Sequence, residues 1–309
     1  MASKFNINIA SSTGAVVVGD GSSITVHHGV SKVETTSYRN QPEDRQEIQS
    51  QNTGGIHCQE TGEPPSSKRE TDEFHRKIKN GYVLIINNQT FPHRSSVERS
   101  GSAKDVENLK NLFDEFGLHP VKVMENLTST QILELLVETS EKDFSKFDCF
   151  ICVILSHGSA DGIYGVDEQV IQVEALTSKF RRSPCPSLEN KPKLFFIQAC
   201  RGSNKDIAPV ESDSEPVPMQ CRGLPSDADF LICYASSPGY ESYRNPELGS
   251  WFIRSLVEVF KEYAPDEHLM DMMLRVNSRV SSYFSNHGHK QMPSEICMLT
   301  KKFYFNPPR

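Results

Sequence analysis

Two apolar segments of the chain each lead into a side chain that could take part in covalent chemistry. Residues 150–155 (FICVIL) run into His157 and Gly158, and residues 194–197 (LFFI) run into Cys200. A cysteine thiolate attacks carbonyl carbons, and an imidazole beside it can accept and return protons. A lone cysteine at the end of a strand is usually only a small buried hydrophobe. The two features together predict a nucleophilic site.

Gly158 and the backbone of Cys200 add a second part of the same chemistry. Because glycine has no side chain, its N–H can approach a substrate oxygen closely. Together with the N–H of Cys200 it could form an oxyanion hole, where the loss of one donor costs about 3 kcal/mol of transition-state stabilisation.

These residues need a scaffold that brings two strand ends together, and the pattern from Tyr82 onward predicts one. Short apolar segments alternate with segments of helical periodicity. We expect strands over residues 82–87, 121–124, 147–155, 193–199, 230–235, 296–299 and 303–305. We expect helices that start at Ser102 (as a cap, with Asp105 three positions on), near Thr128 or Ser129, and around residues 252–260 and 269–280. Such alternation predicts an α/β fold with a mostly parallel central sheet, helices on both faces, and a site at the carboxyl ends of the strands.

The composition is that of a soluble globular protein. Of the 309 residues, 37% are hydrophobic and 24% are charged, and the formal net charge is -7, which argues against a nucleic-acid binder. The first residues lack the pattern of a signal peptide, and no segment reaches the roughly 20 apolar residues of a membrane span. The eight cysteines show neither a disulfide framework nor metal-ligand spacing. We therefore expect a cytoplasmic protein without a metal or cofactor.

Five short motifs, in the same order along the chain, resemble those of the caspase family. They are Arg99-Ser100-Gly101, Ser156-His157-Gly158, Gln198-Ala199-Cys200-Arg201-Gly202, Ser242-Tyr243-Arg244-Asn245-Pro246 and Gly249-Ser250-Trp251. The resemblance spans about residues 80–305. It implies a caspase–haemoglobinase-like fold and an endopeptidase that cleaves after aspartate, with Cys200 as nucleophile, His157 as its catalytic partner and Gly158 in the oxyanion hole.

The resemblance also implies which residues bind the substrate. The matched positions are Arg99, Gln198, Ser242, Tyr243, Arg244, Asn245 and Trp251. Arg99, Gln198 and Arg244 correspond to the residues that hold the aspartate carboxylate, which suits forked guanidinium donors. Tyr243 resembles the aromatic residue that contacts the second substrate residue before the cut. Asn245 and Trp251 resemble walls of the pocket for the fourth.

Apoptotic members of this family are either initiators or executioners, and this chain has motifs that resemble each class. Residues 242–246 and the short loop before Lys290 resemble initiator caspases. The pentapeptide around Cys200 and residues 238–240 resemble executioners. Glu241 stands where family members usually have a neutral residue, so its effect on specificity is open.

The polar stretch 201–229 is predicted to be an activation linker between a large subunit (73–213) and a small subunit (214–309). Residues 210–213 (VESD), followed by a serine, match the expected specificity, so Asp213 is a predicted self-processing site. Further cuts are expected at Asp206, Asp72 and Asp44. The resemblance implies a homodimer of such subunit pairs, joined through the strand near residues 296–299.

Residues 1–72 contain no leucine and are rich in Ser, Thr, Gly, Gln and Glu, which predicts a largely disordered prodomain. Within residues 5–26, Asp20-Gly21 lies between β-prone runs and is a hairpin signal. Residues 16–24 (VVVGDGSSI) resemble the RIP homotypic interaction motif, an amyloid-forming signalling motif, although Val17 and Ser22 depart from it. An inert tail is the equally weighted alternative.

Two other classes of protein were weighed against an active caspase. A caspase-like scaffold would act through homotypic assembly of its N terminus with an upstream adaptor, but intact Cys200 and His157 argue against it. Metacaspase and legumain relatives share the His–Cys fold, yet metacaspases bind Arg or Lys in an acidic pocket, whereas Arg99 and Arg244 favour an acidic substrate. The expected partners are protein substrates, a second copy of the chain and a RHIM-type or other upstream adaptor, not nucleic acid or membrane.

Overall fold

The computed structural model describes residues 16–18, 22–24, 74–92, 99–203 and 225–306. The chain separates into two units, Met1–Gly62 and Glu63–Arg309. In the first unit, strands β1 (Val16–Val18) and β2 (Ser22–Ile24) pair antiparallel, in agreement with the predicted hairpin. The predicted cleavage sites Asp44, Asp72, Asp206 and Asp213 lie outside the described residues, as does most of the prodomain predicted to be disordered.

The second unit contains the α/β fold. Its strands are β3 (His75–Ile78), β4 (Gly81–Asn87), β5 (Val121–Glu125), β6 (Cys149–Leu155), β7 (Gly158–Ser159), β8 (Gly162–Tyr164), β9 (Val170–Ile171), β10 (Lys193–Gln198), β11 (Phe230–Tyr234), β12 (Arg244–Asn245), β13 (Gly249–Ser250), β14 (Ser294–Cys297) and β15 (Lys302–Phe305). Its helices are α1 (Ser102–Glu115), α2 (Ser129–Ser140), α3 (Val173–Thr177), α4 (Trp251–Tyr263) and α5 (Leu269–Ser282), with 3₁₀ turns at Ser178–Phe180 and Pro186–Leu188.

Six strands form the central sheet in the order β14-β11-β10-β6-β4-β5. Every neighbouring pair is parallel except β11 and β14. All residues of β4, β6, β10 and β11 are buried, as expected of apolar strands covered on both faces. The predicted mostly parallel sheet is confirmed.

Helices cover both faces of this sheet, as predicted. Successive side chains of β10 point to opposite faces, so Phe196 belongs to one core and Phe195 to the other. The first core contains apolar residues of α1, α4 and α5, and the second contains those of α2 and α3. No helix in this part of the chain is long and apolar enough to cross a bilayer.

The start of α1 differs from the prediction. Gly101, with φ of 87°, occupies the N-cap, and no side chain caps the helix. A Cβ on Gly101 would lie 2.5 Å from the carbonyl oxygen of Asn245, so this turn requires glycine. The predicted cap at Ser102 is therefore wrong, and Asp105 bonds to a distant residue instead, as described below.

Candidate active site

The ends of β6 and β10 place His157 and Cys200 at the same edge of the sheet. Gln198, the last residue of β10, lies opposite Leu155, the last residue of β6. The register continues beyond the strands, because the N–H of Ser156 donates to the carbonyl oxygen of Gln198 at 3.1 Å. The segments that follow β6 and β10, which carry His157 and Cys200, are thus neighbours.

Gly158 packs directly against the backbone of Cys200. A Cβ at position 158 would lie 2.6 Å from the carbonyl oxygen of Cys200 and 2.9 Å from that of Gly162. Both distances are shorter than carbon–oxygen contacts allow, so no larger residue fits here without displacement of the backbone around the thiol.

The turn after β6 fixes the position of His157. The Ser156 hydroxyl donates to the carbonyl oxygen of Tyr164 at 2.6 Å. The N–H of Tyr164 donates to the carbonyl oxygen of His157 at 2.9 Å. Buried Phe91 packs edge-on against the imidazole, with ring centroids 4.7 Å apart. This contact could not be predicted from the sequence, because Phe91 lies in a loop without periodicity.

The surroundings of Cys200 differ from those of the other described cysteines. Burial raises the pKa of the Cys149, Cys152 and Cys233 thiols, which suppresses their thiolates. Cys200 is half-buried. Its sulfur accepts a hydrogen bond from the N–H of Ser242 at 3.4 Å.

Arg99 is a buried cation beside this thiol. Its side chain is 1% exposed, and one Nη donates to the carbonyl oxygen of Asn88 at 3.2 Å. Its Nε makes no hydrogen bond to any described residue. Burial lowers the pKa of Arg99 to about 9, with a further lowering by Arg244 and opposing effects of Asp105 and Cys200.

Arg244 and Gln198 lie in the same environment. The Arg244 Nε donates to the carbonyl oxygen of Ser100 at 2.7 Å, and burial lowers the pKa of its guanidinium. Gln198 is buried, and its Nε2 donates to the Ser242 hydroxyl at 2.9 Å. Within the described ranges, neither arginine forms a salt bridge with a carboxylate. The site therefore carries positive charge without a bonded anion.

Asp105 links, through hydrogen bonds, the segment that follows Arg99 with the hairpin that carries Arg244. It is fully buried, and its carboxylate accepts bonds from the N–H of Ser250 at 2.8 Å and from the Ser250 hydroxyl. Ser250 lies opposite Arg244 in the β12–β13 pair. Burial raises the pKa of Asp105 to about 6, while the Ser250 bonds and both arginines oppose this rise. The first turn of α1, next to Arg99, is thus bonded to the hairpin that carries Arg244.

An aromatic cluster lies beyond Arg244. The Tyr243 ring is 5.0 Å from that of Trp251 and stacks on His289 at 6.1 Å. The N–H of Tyr243 donates to the side-chain oxygen of buried Gln291 at 2.6 Å. Sequence analysis missed His289 and Gln291, since they lie in a short loop that no motif marks.

Asn245 stabilises the local turn. Its side-chain oxygen accepts hydrogen bonds from the N–H groups of Glu247 and Leu248 at 2.8 and 3.0 Å. Asn245 is itself exposed. The structure therefore brings the predicted residues to one edge of the sheet, with Asn245 at the rim.

Comparisons with known proteins agree on one family. The caspase domain model matches residues 80–304. Caspase-3 of Oryctolagus cuniculus is 44% identical over 235 residues, which cover 73% of this chain and 83% of that protein. Caspase-3 of Mus musculus is 44% identical over 236 residues, with the same coverage. The crystal structure of Caspase-1 from Spodoptera frugiperda superposes with a TM-score of 0.67 at 32% identity, and covers 76% of this chain and 94% of that one.

Proposed function

Because the chain belongs to the caspase family of cysteine endopeptidases, we propose that Cys200 is its nucleophile and His157 its proton carrier. The Cys200 thiolate attacks the carbonyl carbon of the substrate aspartate, and the N–H groups of Gly158 and Cys200 stabilise the oxyanion. The C–N bond then breaks, and His157 gives a proton to the leaving amine. Water, deprotonated by His157, hydrolyses the thioester and releases the thiolate.

The single observation that carries the choice of substrate is the excess of positive charge next to Cys200. Arg99 and Arg244 have no bonded carboxylate within the described residues, and Arg99 keeps a buried donor unused. An aspartate side chain would supply that anion, with Gln198 as a third donor. A neutral substrate residue would leave the buried donors unpaired, which can cost ~10⁴-fold in specificity.

We further propose subsites next to this aspartate pocket. Tyr243 contacts the second substrate residue before the cut. Trp251 and Asn245 border the pocket for the fourth, and Ser242 aligns the substrate backbone beside the thiol. The contacts of Tyr243 with Trp251 support one continuous apolar surface for these substrate side chains.

The proposal includes synthesis as a cytoplasmic precursor that processes itself. Cuts at Asp213 and Asp206 would separate a large subunit (73–213) from a small subunit (214–309), and cuts at Asp72 or Asp44 would remove the prodomain. Strand β14 is at the sheet edge, pairs only with β11 among the described strands and has Ile296 48% exposed, which supports pairing with a second copy. We expect the enzyme to act in programmed cell death or inflammatory signalling.

This function is tested by expression of the full chain with Cys200→Ala. We expect one unprocessed polypeptide and no hydrolysis of aspartyl peptides, whereas the control Cys58→Ala, outside the family match, processes itself normally. Self-processing by Cys200→Ala expressed alone would refute the assignment of the nucleophile.

A second proposal concerns residues 5–26, which resemble the RIP homotypic interaction motif. The antiparallel pairing of Val16–Val18 with Ser22–Ile24 supports this proposal, and assembly through the segment would raise the local concentration of the protease. Replacement of residues 16–19 by four alanines should abolish fibre formation by the isolated peptide and reduce activation of the full chain. If activation and fibre formation are unchanged, the segment is an inert tail.

A further inference from the structure

The segment from Glu241 to Arg244, which borders the active site, has two faces. On one face, Ser242 contacts Cys200 and Gln198, and Arg244 lies two positions on. On the other face, the Tyr243 hydroxyl donates to the Glu241 carboxylate at 3.4 Å. This i, i+2 grouping is that of an extended chain, in which successive side chains point in opposite directions.

Glu241 places a negative charge on the second face. It is half-buried, and it forms no salt bridge with any Lys, Arg or His among the described residues. The ring of His289 stacks on the Tyr243 ring. The Glu241 carboxylate thus lies beside the Tyr243 side chain, on the face of the segment opposite to Arg244.

A bound substrate in extended conformation must alternate in the same way. If its aspartate side chain enters the Arg99–Arg244 pocket, the side chain of the preceding residue points to the opposite face, toward Glu241, Tyr243 and His289. We propose that Glu241 makes this subsite select a basic side chain in the residue immediately before the aspartate. This inference rests on the proposed function and specifies a substrate class within it.

The proposal distinguishes among the candidate cleavage sites of the chain itself. Lys205 precedes Asp206, whereas Ser212 precedes Asp213 and Glu43 precedes Asp44. The wild-type enzyme should therefore cut after Asp206 faster than after Asp213, and slowest after Asp44.

The test uses three fluorogenic tetrapeptides that end in aspartate and differ only in the preceding residue, which is Lys, Met or Glu. For the wild-type enzyme we expect kcat/KM to be about tenfold higher for Lys than for Glu, the size of one charge-assisted contact. Glu241→Gln should bring this ratio close to one, mainly through KM. The control Glu134→Gln, an exposed glutamate on α2, changes the net charge equally and should keep the wild-type ratio.

An unchanged Lys-to-Glu ratio in Glu241→Gln, or a wild-type preference for Glu, would overturn the inference. If Glu241→Gln folds poorly, salt titration of the wild-type enzyme decides, because the Lys preference must weaken as ionic strength rises. A parallel series with asparagine in place of the terminal aspartate separates the two proposals. Its rapid cleavage would refute the aspartate pocket, whereas a strict need for aspartate without any Lys preference would refute only the role of Glu241.

Discussion

Replacement of Arg99 by methionine should inactivate the enzyme and at the same time stabilise its fold. Arg99 is buried, and its pKa is lowered from the ordinary 12.5 to about 9. At 1.36 kcal/mol for each pKa unit, this difference of about 3.5 corresponds to about 5 kcal/mol against the charged form in the free protein. Because the folded pKa is below the unfolded pKa, that cost is fully present below pH 9 and thus at neutral pH.

Part of this cost is offset by contacts that methionine would lose. The Nη donates to the carbonyl oxygen of Asn88, a hydrogen bond that contributes about 1 kcal/mol. The attraction of the charge to Asp105 is already contained in the lowered pKa. The expected net gain is therefore at most about 4 kcal/mol.

The assay is urea unfolding at pH 7 in the Cys200→Ala background, which prevents self-cleavage, together with kcat/KM in the active background. Arg99→Met should lower kcat/KM for aspartyl substrates by at least about 10³-fold. The control Arg182→Met removes an exposed arginine paired with Glu189 and should change stability by less than about 0.5 kcal/mol. A fold destabilised by Arg99→Met, or near-normal turnover, would refute the view that Arg99 is retained for substrate binding.

Other predictions follow from the same geometry. Asp105→Asn should raise KM for aspartyl substrates about tenfold, because Asp105 bonds to the hairpin that carries Arg244, whereas a purely structural role would change only stability. Since burial raises the pKa of Asp105 to about 6, the folded state binds this proton more tightly than the unfolded state. Stability of the wild type should fall as pH rises from about 4 to 6, and Asp105→Asn should remove that part of the slope in urea unfolding. Gly158→Ala should lower kcat about 10²-fold, because the new Cβ would displace the Cys200 backbone, and wild-type kcat would contradict this. A peptide library should show Val or Ile four positions before the cut, and a profile dominated by Asp there would contradict the prediction from the short loop before Lys290.

Features that depend on residues close together in the sequence could be predicted from it. The apolar runs before His157 and Cys200 form adjacent parallel strands because continuous apolar segments of this length must be covered on both faces. Asp105 shows the limit of such local rules. Its position near a helix start indicated a cap, but its partner is Ser250, 145 residues away in sequence.

The walls of the proposed substrate site show the same limit. His289 and Gln291 reach Tyr243 from a loop that carries no periodicity. Strands β12 and β13 have two residues each, which is too short for an alternating pattern. Contacts of this kind are decided by tertiary packing, so they become visible only in the folded chain.

Covalent labelling can show directly whether Cys200 attacks substrates that are held by their aspartate. A peptidyl acyloxymethyl ketone that ends in aspartate forms a thioether with the attacking thiolate, and peptide mass spectrometry locates the adduct. We predict one adduct, on Cys200, and no labelling by the matched probe that ends in asparagine. An adduct on another cysteine, or equally fast labelling by the asparagine probe, would contradict the account.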